Sequence, residues 1–131
     1  MYQMEQLRRA FPDALLLNGY DEVLLAGLVS GARGGIGSTY NIMGAKYLAL
    51  VERLEAGDIP AAAQIQSECN AVIDELVCVG VFPGLKYLLH RLGVIETPVC
   101  RRPLATLSRA TAGKLDAMLT QFAPAEPAPA Q

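Results

Sequence analysis

The chain has 131 residues, 52% of them hydrophobic and 18% charged, and a formal net charge of −2 at pH 7. That is one domain's worth of core, and its acidic balance, with only the isolated pairs Arg8-Arg9 and Arg101-Arg102, argues against nucleic acid or an anionic membrane as partner. A mean hydropathy of +0.27 is apolar for a free-standing domain and predicts surface that expects a partner.

In chain order, MYQMEQLRRAFPD carries no apolar h-region, so no signal peptide is expected. Tyr2 to Ala10 reads as a short helix that Pro12-Asp13 ends. Ala14 to Tyr20 is a continuous apolar run bounded by turn residues, the pattern of a strand covered on both faces. Asp21 and Glu22 open a helix through about Gly31, their acids suiting the positive end of its dipole. Gly34 to Ser38 is a second short strand, and strand–helix–strand makes a parallel pair.

Beyond Asn41 only helices are expected. The first shows Tyr47, Leu48, Leu50, Val51 and Leu54 on one face and closes at Gly57. Asp58 caps the next, with Pro60 tolerated in its first turn. Ile65, Cys69, Val72, Ile73 and Leu76 follow at helical spacing until Gly80. VFPG reads as a turn, Leu85 to Leu92 as a shorter helix, and Ser108 to Phe122 as a last helix with Leu115, Met118, Leu119 and Phe122 on one face. Ala123 to Gln131 is too rich in Pro and Ala to pack and is expected to be disordered. Three regions follow: residues 1–45 with the strands, 46–122 helical, and the tail 123–131. Two parallel strands do not make a stable sheet alone, so the order predicts the last part of a larger α/β domain.

No apolar run nears the ~18 residues that a membrane span needs. Cys69, Cys78 and Cys100 are an odd set without CxxC spacing, which indicates reduced thiols in a cytoplasmic protein and neither a disulfide framework nor a zinc site.

In parallel α/β folds ligands lie beyond the carboxyl ends of the strands. Those ends are NGYDE, Asn18 to Glu22, and GSTYN, Gly37 to Asn41. They offer two carboxylates, hydroxyls, and glycines that let a ligand approach the main chain. A phosphate cradle fits poorly. GIGSTY is not GxGxxG, no Lys precedes Ser38 in a P-loop pattern, and Asp21 and Glu22 would repel an anion. Ionised carboxylates accept hydrogen bonds, so a polyol suits them better. Two adjacent acids are too few ligands for Mg²⁺ or Ca²⁺, and a plain helix start beside turn glycines remains the competing account. His90 reads as a packed or surface histidine. Lys46, Lys86 and Lys114 lie on helices outside the strand ends and lack a desolvated pocket for Schiff-base chemistry. Tyr40 and Tyr47 read as packing residues.

YQMEQLRR, NGYDE, GGIGSTYNIMG, AGDIPAAAQIQSECNAVIDELVCVGVFPGLKYLLH and VCRRP together resemble the N-acetylneuraminate lyase family, within the dihydrodipicolinate synthase/N-acetylneuraminate lyase superfamily. The likeness runs over nearly the whole chain and fails only in the tail. It implies the C-terminal part of a (β/α)8 TIM barrel, about two parallel strands, followed by a C-terminal helical extension. It also implies a homotetramer-forming class I aldolase that cleaves N-acetylneuraminate reversibly to N-acetylmannosamine and pyruvate, through a Schiff base and without metal or organic cofactor. Carried over, Gly19, Asp21, Glu22, Gly37 and Ser38 match positions that bind the sugar's hydroxyl-bearing portion. The resemblance places the Schiff-base lysine, the proton-transfer tyrosine and the carboxylate-binding loop upstream of Met1, so no residue here is assigned a catalytic role. The chain alone is then expected to be inactive and prone to self-association. The alternatives are the completing chain of a split lyase, paired with an N-terminal chain, or a non-catalytic helical interaction module.

Overall fold

The computed structural model describes residues 1–104 and 106–119. The expected disorder of residues 123–131 and the placement of Phe122 lie outside the described residues. Two compact units divide after Asp74.

In the first unit, α1 (Tyr2–Ala10) has Glu5 in its first turn and Arg8 and Arg9 in its last, the charge order that the helix dipole favours. Glu5 and Arg9 form an exposed i,i+4 ion pair at 2.8 Å, and no α1 residue is buried. A 3₁₀ turn (Asp21–Val23) leads into α2 (Leu24–Val29), so the helix expected to run from Asp21 to Gly31 is a tight turn plus a short helix. The longer α3 (Tyr40–Glu55) buries Met43, Tyr47 and Leu50 at steps of four and three, with a kink at Met43. Leu48, expected on this apolar face, is exposed. Gly57, at φ 77°, adopts the left-handed conformation that ends α3, and the Asp58 carboxylate then accepts the Ala61 N–H at 3.1 Å at the start of α4 (Ile59–Val79). Ala62, Cys69, Val72 and Ile73 of α4 are core residues.

The expected α/β class, a two-stranded C-terminal piece of a (β/α)8 barrel, is corrected: the described residues are mostly helical and contain no strand. Leu16 to Asn18 runs parallel to Arg33 to Ile36 through three bonds: Arg33 N–H to the Leu16 carbonyl at 2.8 Å, Asn18 N–H to Gly34 at 2.9 Å, and Ile36 N–H to Asn18 at 2.9 Å. These amount to one isolated bridge, Asn18 to Gly35. The second segment, Gly34-Gly35-Ile36-Gly37, is too glycine-rich to pack as a strand. Leu15, Leu17 and Ile36 are 70, 41 and 68% exposed, so the expected two-sided cover is missing among the described residues.

In the second unit, Glu75 onward, α5 (Val81–Arg91) packs on α6 (Arg109–Asp116). VFPG is the first turn of α5 and not a loop. Pro83 fits there because a first-turn N–H has no intrahelical partner to lose. Gly84 is needed for close packing, since a Cβ there would come within 2.9 Å of Leu76 and 3.0 Å of Val79. Tyr87 donates to Asp116 at 2.9 Å, and Arg91 pairs with the same carboxylate. Ser108 caps α6 by accepting the Thr111 N–H at 3.1 Å. Among the described residues no helix is long and apolar enough to cross a membrane.

Candidate functional site

The segments NGYDE and GSTY meet through Asp21. This residue is only 6% exposed, and its Oδ2 accepts the Thr39 N–H at 2.7 Å and the Thr39 hydroxyl at 2.5 Å. Thr39 immediately precedes α3, so Asp21 places a negative charge where the helix dipole is positive, although 18 residues separate the two in sequence. Thr39 itself makes no side-chain cap bond to the helix; its hydroxyl is turned to the carboxylate.

Gly37 completes the contact. A Cβ added there would overlap the Asp21 carboxylate outright, so only glycine lets this backbone pass so close to the acid. Asn18 is buried beneath the same turn, where its Nδ2 donates to the Tyr20 carbonyl at 2.5 Å. Gly27 gives it room, because a Cβ there would come within 2.5 Å of its Oδ1.

Of the residues expected at the site, Asp21 and Gly37 are thus in direct contact. Ser38 is half-buried between two residues that both touch Asp21. Glu22 follows Asp21 and is exposed. Gly19 is exposed, with open space where a Cβ would stand.

Four residues that the sequence reading left out of the site hold this turn. Gln66 of α4 donates to the Asp21 carbonyl at 3.0 Å, and its Oε1 accepts the Leu25 N–H at 3.0 Å. Asn70, one turn on, donates to the Glu22 carbonyl at 3.1 Å and accepts from Gln66 at 2.9 Å. Tyr47 lies with its hydroxyl 3.4 Å from the Thr39 hydroxyl and 3.5 Å from the Asp21 carbonyl. Thr39, between Ser38 and Tyr40, carries no motif of its own that marks it in the sequence. A signal existed for Gln66: Ala62, Gln66, Cys69 and Ile73 share one helix face, and a polar residue in an apolar row demands buried partners.

The tyrosines beside the turn are electrostatically distinct. Burial, reinforced by the nearby Asp21 charge, pushes the Tyr40 hydroxyl up to about 12. Burial also raises Tyr47, opposed by its hydrogen bond to Thr39. The two rings meet edge to face, 4.4 Å between centroids, and the buried Tyr40 hydroxyl has no hydrogen-bond partner among the described residues.

Elsewhere, Lys46 is paired with Glu68 at 3.0 Å. Lys86 donates to the Val99 carbonyl at 2.6 Å, and Lys114 is exposed. His90 is half-buried with Nδ1 3.2 Å from the Ile95 carbonyl, a packed histidine. Among the described residues no cluster of His, Cys, Asp or Glu is arranged to hold a metal ion. The arrangement offers the exposed Glu22 carboxylate and the exposed main chain at Gly19 in one turn, chemistry suited to hydroxyl groups.

Comparison with known proteins gives a consistent picture. The Dihydrodipicolinate synthetase family matches residues 1–122. Over 122 residues the chain is 51% identical to the N-acetylneuraminate lyase of Salmonella agona (strain SL483), covering 93% of this chain and 41% of that protein. The Citrobacter koseri N-acetylneuraminate lyase is 50% identical over the same coverage. Among solved structures, N-acetylneuraminate lyase from Fusobacterium nucleatum complexed with pyruvate superposes with a TM-score of 0.85 at 34% identity, over 93% of this chain and 41% of that one. CdNal from Clostridium difficile in complex with mannosamine gives a TM-score of 0.85 at 29% identity, over 92% and 41%. The chain spans about two fifths of the length of these relatives.

Proposed function

Because the chain belongs to the dihydrodipicolinate synthetase family, we propose that it works within an N-acetylneuraminate lyase-like class I aldolase, where it holds the hydroxyl-bearing end of a sialic acid-type sugar. The observation that carries this reading is the Asp21 contact, which brings the acidic turn and the glycine-rich segment together. Glu22 is exposed beside it to accept ligand hydroxyls, and Gly19 leaves main chain open to approach. Asp21 is buried and contributes by holding the rim together through Thr39, and Gly37 and Ser38 complete it.

The nucleophile is assigned elsewhere than to this rim. Schiff-base formation needs an unprotonated amine in a desolvated pocket, whereas Lys46 is ion-paired, Lys86 is bonded to a carbonyl and Lys114 is exposed. Titration of the chain with N-acetylmannosamine, followed by amide chemical shifts, tests the binding half. Saturable shifts at Gly19, Glu22 and Ser38 are expected, and shifts confined to other segments would overturn it. Borohydride treatment with pyruvate tests the other half: no adduct is expected on this chain, and a reduced pyruvate on any of the three lysines would sink the assignment.

Exposure of Leu15, Leu17 and Ile36 beside the paired segments favours a second reading of how the site works, in a larger assembly with another copy or a complementary chain. Sedimentation of the purified chain distinguishes the two: self-association is expected where no complement is present, and a monodisperse monomer would count against this reading.

A further inference from the structure

The geometry points to Gln66 and Asn70 as positioning residues that hold the Asp21–Glu22 turn and so set the direction in which exposed Glu22 faces a ligand, an inference that rests on the sugar-binding reading above. Both lie on α4, 45 and 48 residues from the carbonyls they hold. Gln66 is 8% exposed and spends its whole amide: Oε1 takes the Leu25 N–H, and Nε2 donates both to the Asp21 carbonyl and to Asn70 Oδ1. Asn70 passes the polarity on, accepting at Oδ1 and donating from Nδ2 to the Glu22 carbonyl. Neither amide can be flipped, because a reversed Gln66 would point N–H at the Leu25 N–H and oxygen at a carbonyl.

The consequence is geometric. The carbonyls of two successive residues are pinned from one side, and the first free N–H groups of α2 include that of Leu25, which Gln66 caps. Fixing these peptide planes fixes the Cα–Cβ directions of Asp21 and Glu22. Asp21 is held again through its side chain by Thr39, but exposed Glu22 has no side-chain anchor among the described residues, so the Asn70 bond to its carbonyl sets its bearing. A buried glutamine is costly unless every polar atom is paired. An apolar residue would fill the same place on α4 without that demand, and it would leave the turn unheld.

Gln66→Met keeps length and burial and removes all three bonds. Gln66→Glu keeps an acceptor for Leu25 but cannot donate to the Asp21 carbonyl at neutral pH. Asn70→Ala, at a partly exposed position that folding tolerates, releases the Glu22 carbonyl and removes one acceptor of Gln66 while leaving its bonds to Asp21 and Leu25. Hydrogen exchange and amide shifts are recorded for each on the full chain, together with N-acetylmannosamine affinity. In Gln66→Met, Leu25 exchange is expected to accelerate about tenfold while Leu50 and Leu76 stay protected, and affinity falls about fivefold, the scale of one or two neutral hydrogen bonds. Gln66→Glu should keep Leu25 protected yet still lose affinity, and Asn70→Ala should shift the Glu22 and Val23 amides with a similar loss. Unchanged Leu25 exchange in Gln66→Met, or unchanged Glu22 shifts in Asn70→Ala, would overturn the positioning role. So would a uniform rise in exchange across the chain, which marks a merely structural part. A wild-type chain that binds no sugar would refute the sugar-binding reading instead, and the exchange and shift data would still decide whether the two amides hold the turn.

Discussion

Asp21 and Thr39 are joined by two hydrogen bonds to a single carboxylate oxygen, 2.7 Å from the main-chain N–H and 2.5 Å from the hydroxyl. The contact spans 18 residues and is buried, so it orders the acidic turn and the start of α3 at once. Charge-assisted bonds of this kind are worth about 1.5–3 kcal/mol each. Thr39→Val, which keeps the shape and deletes the hydroxyl's bond to Asp21 together with its longer contact to Tyr47, is expected to lower unfolding stability by about 2 kcal/mol. Thr39→Ser should recover most of it. Urea midpoints for the three proteins give the comparison, and a Thr39→Val midpoint equal to wild type would show the hydroxyl to be dispensable.

Gly37 faces the same carboxylate from the other side. Gly37→Ala places a methyl group inside the space that Asp21 fills, so the acid must move and leave Thr39 unpaired. The neighbouring atoms are a short, doubly bonded side chain with little freedom to yield. A loss of about 2–4 kcal/mol is expected, combining overpacking with an unsatisfied buried charge. Gly19→Ala, in open space, should change stability by less than about 0.5 kcal/mol. Thermal melts of the two variants test the contrast, and similar losses in both would contradict it.

Much of the helical part was legible in the sequence because its signals are local. Tyr2 to Ala10 forms α1 as read, Asp58 caps α4, Ser108 caps α6, and Gly57, Gly80 and Gly93 all take positive φ at helix ends. The expected strands failed for a physical reason. Ala14 to Tyr20 has the apolar run of a buried strand, yet its partner is a glycine string and three bonds are all that form. An apolar run states a preference for cover without supplying it. The positions of Asp21 and Gly37 at one turn were readable from the motif, but the inward orientation of Asp21 was not, since it depends on Thr39. Gln66 and Asn70 were hidden because an apolar period draws attention away from the polar residues within it. VFPG was misread as a turn because proline in the first turn of a helix resembles proline in a loop.

Tyr40 carries a buried hydroxyl without a hydrogen-bond partner among the described residues, next to Gly35, where a Cβ would come within 2.5 Å of that oxygen. Removing an unsatisfied buried group is favourable, so Tyr40→Phe should raise stability by about 1 kcal/mol while keeping the edge-to-face contact with Tyr47. Denaturant unfolding reads this directly. A loss of similar size would mean that the hydroxyl is paired in solution.

Burial of the two tyrosines also fixes how stability responds to base. Tyr40 titrates near 12 in the folded chain against 10.0 for the free side chain, and Tyr47 is raised as well, in both cases chiefly by desolvation. A raised pKa means that the folded state holds these protons more tightly than the unfolded state. The associated stability is therefore complete below pH 10 and is lost as pH rises from about 10 towards 12, where the unfolded chain ionises first. Burial raises the Cys69 thiol as well, so urea midpoints at pH 8, 10 and 11 are expected to fall a little across the first pair and further across the second, and Tyr40→Phe should lessen the second fall. Spectrophotometric titration adds an independent check: Tyr40 and Tyr47 should leave part of the tyrosinate absorbance to appear only well above pH 10. A single tyrosinate transition near 10, with no alkaline loss of stability before it, would show that the Tyr40–Tyr47 pair is open to water.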